Sequence, residues 1–251
     1  MNIAILGAGW LGSALAHSLQ NNNHNVKVSV TSTEKKQLLH ATGINAFVVS
    51  ATNDTINGEL NFFKNIDVLV CTLTPQPINI FKTLANEIEK QGIKKVIICS
   101  STGIYQNCTG LVTENSHLNT DIEKVNLLKN IEDTFLNQPT FTATILRLGG
   151  LIGGNRHPVI HLAKKTEISD GNEPVNIVFL ETILKNIQLL INKPLLNTVF
   201  NLVENDHRTK EAFYTAEAKK HTLTLPPFTK NSAPKNRIVS TNKIQKHLTN
   251  N

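Results

Sequence analysis

Three glycines stand close together near the start of the chain, Gly7, Gly9 and Gly12, in the run GAGWLG. Glycines at this spacing can hold phosphate with bare backbone. Gly7 allows a tight turn out of a strand, and Gly9 lacks the Cβ that would keep a pyrophosphate off the main chain. Gly12 lets a helix pack close to the strand. Trp10 and Leu11 would then open that helix, and its N–H groups and partial positive charge would face the phosphates. The elements that must position the loop are present in the sequence. An apolar strand, Ile3-Ala4-Ile5-Leu6, runs into the first glycine, and a helical pattern from Ser13 to Leu19 follows the last. The spacing alone is a weak signal. Between a strand and a helix it predicts a dinucleotide-binding turn.

A second group of candidates follows strand two, Val26–Thr31, where the sequence reads Thr31-Ser32-Thr33-Glu34-Lys35-Lys36. Dinucleotide sites that take NAD place a carboxylate near here to accept from the ribose 2′-hydroxyl. Hydroxyls and two lysines suit a 2′-phosphate instead. NADP is therefore the expected cofactor, with NAD the alternative if Glu34 serves the ribose. Ser32 or Thr33 would also cap the next helix. Further candidates lie at strand ends: Thr72, Leu73 and Thr74 beside the adenosine, Ser100 and Ser101 near the nicotinamide, and Gly149 with Gly150 at the end of a sixth strand.

The rest of the pattern alternates strand and helix. Strands are expected at Ala46–Ser50, Ile66–Leu73, Lys95–Ser100 and Thr142–Leu148. Helices are expected near Glu34–His40, Pro77–Gln91 and Ile122–Leu136. Continuous apolar runs of this kind belong to parallel strands buried on both faces. The fold class read from them is α/β: a Rossmann-type, doubly wound parallel sheet with a small C-terminal α/β lobe. Residues 1–149 are expected to form the nucleotide-binding domain. Residues 150–251 would form mostly a substrate-side lobe, part of it returning to the main sheet. Residues 106–120 read as a polar loop and 149–154 as a mobile glycine loop. His157–Lys165 reads as a short helix, and a helix over Arg208–Lys220 is introduced by Asp206.

Composition sets the remaining bounds. The chain has 251 residues, a net charge of +6 and 40% hydrophobic residues, ordinary for a soluble globular protein. No apolar run reaches the roughly 18–20 residues of a membrane span, and the first strand occupies the N-terminus where a signal peptide would lie. A cytoplasmic protein without membrane or nucleic-acid partners is expected, its oligomeric state open. The excess charge collects in Lys230, Lys235, Arg237, Lys243 and Lys246, read as a solvated basic tail without the aromatic platform of a nucleic-acid surface. Cys71, Cys99 and Cys108 show no metal-ligand spacing, and no metal site is expected.

Several segments resemble the extended and atypical short-chain dehydrogenases, the NAD-dependent epimerase/dehydratase family. Besides the glycine loop, CSSTGIY (residues 99–105) is similar to the family's strand-five serine motif and ILRLGGLIGG (145–154) to its late LR segment. VNIVFLE (175–181) and VFNL (199–202) are similar to its last two strands, all in the family's order. The resemblance implies a nicotinamide cofactor and a small polar or nucleotide-linked substrate. It implies Ser101 and Lys129 as catalytic residues, with Lys129 also holding the nicotinamide ribose. The family's tyrosine, four residues before the lysine, is replaced by Val125. Valine cannot move a proton, so the chain resembles the tyrosine-lacking subgroup. Tyr105 and His157 are the substitute donors the sequence offers, with Glu114 and His117 in the neighbouring loop. The competing reading is a non-catalytic cofactor-binding sensor or interaction protein.

Overall fold

The computed structural model describes residues 1–249. The first half alternates as its apolar pattern requires: β1 (Asn2–Leu6), α1 (Trp10–Asn21), β2 (Asn25–Val30), α2 (Thr33–Ala41), β3 (Asn45–Ala51), β4 (Ile56–Gly58), β5 (Val68–Cys71), α3 (Ile78–Lys90) and β6 (Lys95–Ser101). Then come β7 (Leu111–Val112), α4 (Glu123–Leu136), β8 (Thr142–Leu148), β9 (Gly150–Ile152), α5 (Pro158–Leu162), β10 (Ile177–Phe179) and α6 (Leu180–Ile191). The described chain closes with β11 (Thr198–Leu202), α7 (Lys210–Lys220), β12 (Ile238–Val239) and α8 (Asn242–Thr249).

Eight strands form one sheet in the order β11-β8-β6-β5-β1-β2-β3-β4. β1 pairs in parallel with β2 and with β5, β2 with β3, and β5 with β6. The short edge strand β4 pairs antiparallel, on β3. Strand order turns at β1, where the chain leaves for β2 on one side and β5 on the other. Such a switch point puts a crevice at the strands' C-terminal ends. Ile3, Ala4, Ile5 and every residue of β5 are fully or nearly fully buried, as a sheet covered on both faces demands. Phe62, Phe63, Phe81 and Phe135 fill the core over one face, with Leu84, Ile88 and Ile131.

The chain divides into two compact units. One comprises Met1–Ser101, Thr120–Leu146 and Leu184–Val199; the other comprises Thr102–Asn119, Arg147–Ile183 and the chain from Phe200 on. The second unit differs from expectation in four places. The glycine run after residue 149 is not a mobile loop: β9 pairs in parallel with β10, Gly150 opposite Ile177. The polar 106–120 segment contains β7, which pairs with β12. The basic tail is anchored as well as solvated: Lys230, Lys243 and Lys246 are exposed, but Val239 and Ile244 among them are buried at 0% and 1% exposure and Arg237 donates to the Tyr105 carbonyl. The helix near 210 is capped by Thr209, whose hydroxyl accepts from the Ala212 amide, while Asp206 pairs with Arg208 at 2.6 Å.

Candidate functional site

The glycine loop has the geometry its spacing predicts. Gly7 turns with φ of +99°, a conformation open to glycine. A Cβ on Gly12 would lie 2.1 Å from the Gly7 carbonyl oxygen, so α1 and β1 approach too closely for any side chain there. Gly9 differs: a Cβ on it would meet nothing within 4 Å. It caps α1 in extended backbone, with no side chain bonded to the cap and no acidic residue in the first turn. An open backbone face beside an acid-free helix start fits a pyrophosphate. Two side chains hold the loop from beneath. Ser29 Oγ accepts from the Gly7 amide at 2.8 Å, and Thr72 Oγ1 donates to the Gly7 carbonyl at 2.7 Å. Thr72 was expected here for its strand end. Ser29 was not, although a buried hydroxyl in the run VKVSV is the signal that marks it.

At the end of β2 the hydroxyl-rich segment lies where expected. Ser32 caps α2, its Oγ accepting from the Lys35 amide at 3.3 Å, and Thr31, Thr33 and Lys35 are exposed. Glu34 is held below the usual carboxylate range by its own backbone amide and by Ser32. Lys36 departs from the expected pair of phosphate-facing lysines. Its ammonium pairs with Glu59 at 2.7 Å, and Glu59 also accepts from the Val48 amide. Of that pair, Lys35 is exposed at the surface. Leu73 and Thr74 follow β5, and Leu73 packs against Gly7.

At the end of β6, Ser100 donates to Glu132 at 2.6 Å. Glu132 is 1% exposed, unusual for a carboxylate and expected only when paired. It sits seven residues after Val125 on the buried face of α4, with Leu128 and Phe135. That helical repeat was the signal for it in the sequence. Val125 is itself 1% exposed. Lys129, half exposed, pairs with Asp133 one turn on at 2.5 Å.

Ser101 closes β6 in the first unit, whereas Tyr105, Glu114, His117, Gly149 and His157 belong to the second. Tyr105 is fully buried. Its hydroxyl accepts from Arg147 Nη1 at 2.6 Å and donates to Asn201 Oδ1 at 2.8 Å. Burial pushes the phenol pKa up, against the pull of Arg147. A phenol so placed ties its unit together with a proton already committed to Asn201. Glu114 accepts from the Asn201 amide at 2.8 Å, and the His117 carbonyl accepts from Cys108. Gly149 is a packing glycine within this unit, since a Cβ would lie 2.7 Å from the Asn176 carbonyl oxygen. His157 caps α5 through Nδ1.

Comparison with known proteins agrees with this geometry. A family model described as NAD(P)H-binding matches residues 7–176. The chain is 30% identical over 258 aligned positions to Protein YeeZ of Escherichia coli strain K12, covering 98% of this chain and 93% of that protein. Among solved structures, a functionally unknown conserved protein from Silicibacter pomeroyi superposes with a TM-score of 0.81 at 16% identity, covering 100% and 93% of the two chains. UDP-glucuronic acid 4-epimerase from Bacillus cereus, solved with UDP-glucuronic acid and NAD, superposes with a TM-score of 0.80 at 17% identity, covering 99% and 93%. The two structural likenesses concern the fold. The family match spans well over half of the sequence, and it carries the conclusion that this chain belongs to the NAD(P)H-binding family, built on a Rossmann-type α/β fold.

Proposed function

We propose that the protein binds NADP in preference to NAD on the Gly7–Gly12 loop and acts as an atypical oxidoreductase, epimerase or dehydratase on a small polar or nucleotide-linked substrate. The open backbone face at Gly9, above a helix start without acidic residues, carries the reading. Trp10, Leu11 and Gly12 would present the helix start to the pyrophosphate. Thr31, Ser32, Thr33 and Lys35 would take the adenosine phosphate, and Thr72, Leu73 and Thr74 would border the adenosine. Ser100 and Ser101 would stand at the nicotinamide end, with Lys129 on α4 toward its ribose once released from Asp133, and Gly149 beyond the sixth strand. When bound, a nicotinamide supplies hydride transfer. Ser101 would hold a substrate hydroxyl or carbonyl by hydrogen bonding, and Glu132 keeps its neighbour Ser100 in place.

On the resemblance to the short-chain dehydrogenases, Val125 would stand in place of their acid–base tyrosine. Its burial on an apolar helix face supports a second reading, a cofactor-binding sensor without turnover. The fully buried Tyr105 and the buried cap His157 offer a substrate no obvious proton in its place. Calorimetry with NADPH and NADH on the intact protein tests the binding claim. Saturable binding is expected, with NADPH about 10- to 100-fold tighter, the worth of a charge-assisted phosphate bond. Absence of binding by both overturns the proposal, and a preference for NADH overturns the NADP assignment. Stopped-flow absorbance at the reduced-nicotinamide band, with nucleotide sugars supplied, then separates the enzyme from the sensor.

A further inference from the structure

A cluster in the second unit lies outside everything the proposed function uses. His157 precedes Pro158 at the start of α5, Glu217 lies in the last turn of α7, and His221 caps that helix. α5 packs on α7, which brings residues some sixty positions apart in sequence to one place. One nitrogen of each imidazole and one carboxylate oxygen lie within 4.8 Å of one another. His157 is 8% and Glu217 7% exposed. The imidazole rings of His157 and His221 stand 4.7 Å apart, centroid to centroid.

We propose that His157, Glu217 and His221 form a binding site for a divalent metal ion of the zinc class. Five observations lead there. Two imidazoles and one carboxylate are the donor set such ions take, with a fourth position open for water. His157 Nε2 is buried and makes no hydrogen bond among the described residues, although Glu217 Oε2 lies 3.3 Å away. Ligands bound at about 2.0–2.1 Å in a tetrahedron stand about 3.4 Å apart, which matches that separation. His221, exposed at the end of its helix, is the ligand free to close the remaining distance. The C-terminus of α7, finally, is the negative end of its dipole and favours a cation.

Two neighbours work against the metal, and both can yield. Lys220 pairs with Glu217 at 2.6 Å but uses Oε1, leaving Oε2 for the ion. His157 Nδ1 accepts from the Val159 amide at 3.3 Å, which places the ring proton on Nε2. Metal binding requires the other tautomer and so exchanges this one long cap bond for coordination. Bound there, the ion would tie the start of α5 to the end of α7.

Tag-free protein, freed of metal by chelator and gel filtration, is titrated with Zn²⁺ against a chromophoric zinc indicator and, separately, with Co²⁺. One equivalent of Zn²⁺ is expected to bind, and Co²⁺ should give the visible absorption of a four- or five-coordinate nitrogen–oxygen site. His221→Ala changes an exposed residue and leaves the fold intact. It should weaken Zn²⁺ at least tenfold and abolish the cobalt band. Glu217→Gln should do the same, and His117→Ala should change neither. NADPH affinity, read on the same samples, should be unaltered in His221→Ala, so the result stands apart from the fate of the cofactor assignment. The proposal is overturned if no stoichiometric Zn²⁺ binds. It is equally overturned if His221→Ala binds as tightly as the parent, since the metal then sits on other surface histidines.

Discussion

Replacing Gly9 by valine projects a branched side chain into space where no heavy atom lies within 4 Å of its Cβ, whereas replacing Gly12 by alanine drives one carbon to 2.1 Å from the Gly7 carbonyl oxygen. The two variants therefore separate what the loop needs for a ligand from what it needs for packing. Gly9 has φ of −79° and ψ of −161°, open to any residue, so valine there costs at most the modest difference between helix caps, under about 1 kcal/mol. Gly12→Ala forces α1 away from β1, an overpacking worth about 1–3 kcal/mol. In a chain of this size that lowers Tm by roughly 2–12 °C. The ligand side reverses the order. A pyrophosphate kept off the Gly9 backbone loses one or more charge-assisted hydrogen bonds of about 1.5–3 kcal/mol each, roughly 10- to 100-fold in affinity per bond. Thermal melts and NADPH calorimetry on both variants make the assay. Gly9→Val should melt close to the parent and bind NADPH poorly; Gly12→Ala should melt early. A Gly9→Val protein that binds NADPH like the parent refutes the placement of the pyrophosphate, and a Gly12→Ala protein that melts like the parent refutes the packing argument.

Lys35→Ala should reduce the NADPH-to-NADH preference, measured by parallel titrations, while Lys36→Ala should leave it unchanged. The Lys36–Glu59 pair is partly exposed, so its loss costs under about 1 kcal/mol of stability. Equal effects of the two lysines on cofactor preference would contradict the ion pair's role. Tyr105→Phe takes one bond from Arg147 and the hydroxyl donor from Asn201 Oδ1, and a buried acceptor so deprived costs about 1–3 kcal/mol. Denaturant melts should show that loss with NADPH affinity unchanged; an unaltered midpoint would refute it. Glu59 is held below the usual carboxylate range by Lys36 and then by the Val48 amide. Its contribution is therefore present above the unfolded-state pKa and fades as pH falls through the lower folded value. The melting-temperature gap between the parent and Glu59→Gln should close as pH is taken from 7 to 3, and a gap that widens on acidification would contradict the assignment.

The first strand, the glycine turn and the first helix were legible because their residues are dictated locally: an apolar run, a positive-φ turn, and a close approach within a few residues. The strands paired in parallel in the main sheet were legible for a related reason, since burial on both faces writes itself as continuous apolar sequence. β4, β7 and β12 were not. Two or three residues carry no periodicity, and Val112 becomes a strand residue only because Val239, far along the chain, lies opposite it. Gly149 was read as bare backbone for a ligand, while the structure gives it a packing reason in the Asn176 carbonyl. The anchoring of the basic tail was not legible, because it rests on isolated apolar residues, Val239 and Ile244, set among exposed lysines. At the site, Ser29 and Glu132 escaped notice as single polar residues in apolar stripes. Lys36 and Lys129 were assigned by type and position, but each is held by a carboxylate, Glu59 and Asp133. The Asp133 partner, one helical turn from Lys129, was visible in the sequence; the Glu59 partner was not. The His157–Glu217–His221 cluster depends on α5 packing against α7, which no spacing in the sequence announces.

Whether a nicotinamide dinucleotide lies along the Gly7–Gly12 loop is decided by a crystal structure of the protein grown with NADP. Pyrophosphate oxygens are expected within hydrogen-bond distance of the backbone amides that open α1, with the 2′-phosphate beside Thr31–Thr33 and Lys35. A dinucleotide bound elsewhere, or a loop whose Gly9 face is covered by protein in those crystals, would contradict that placement.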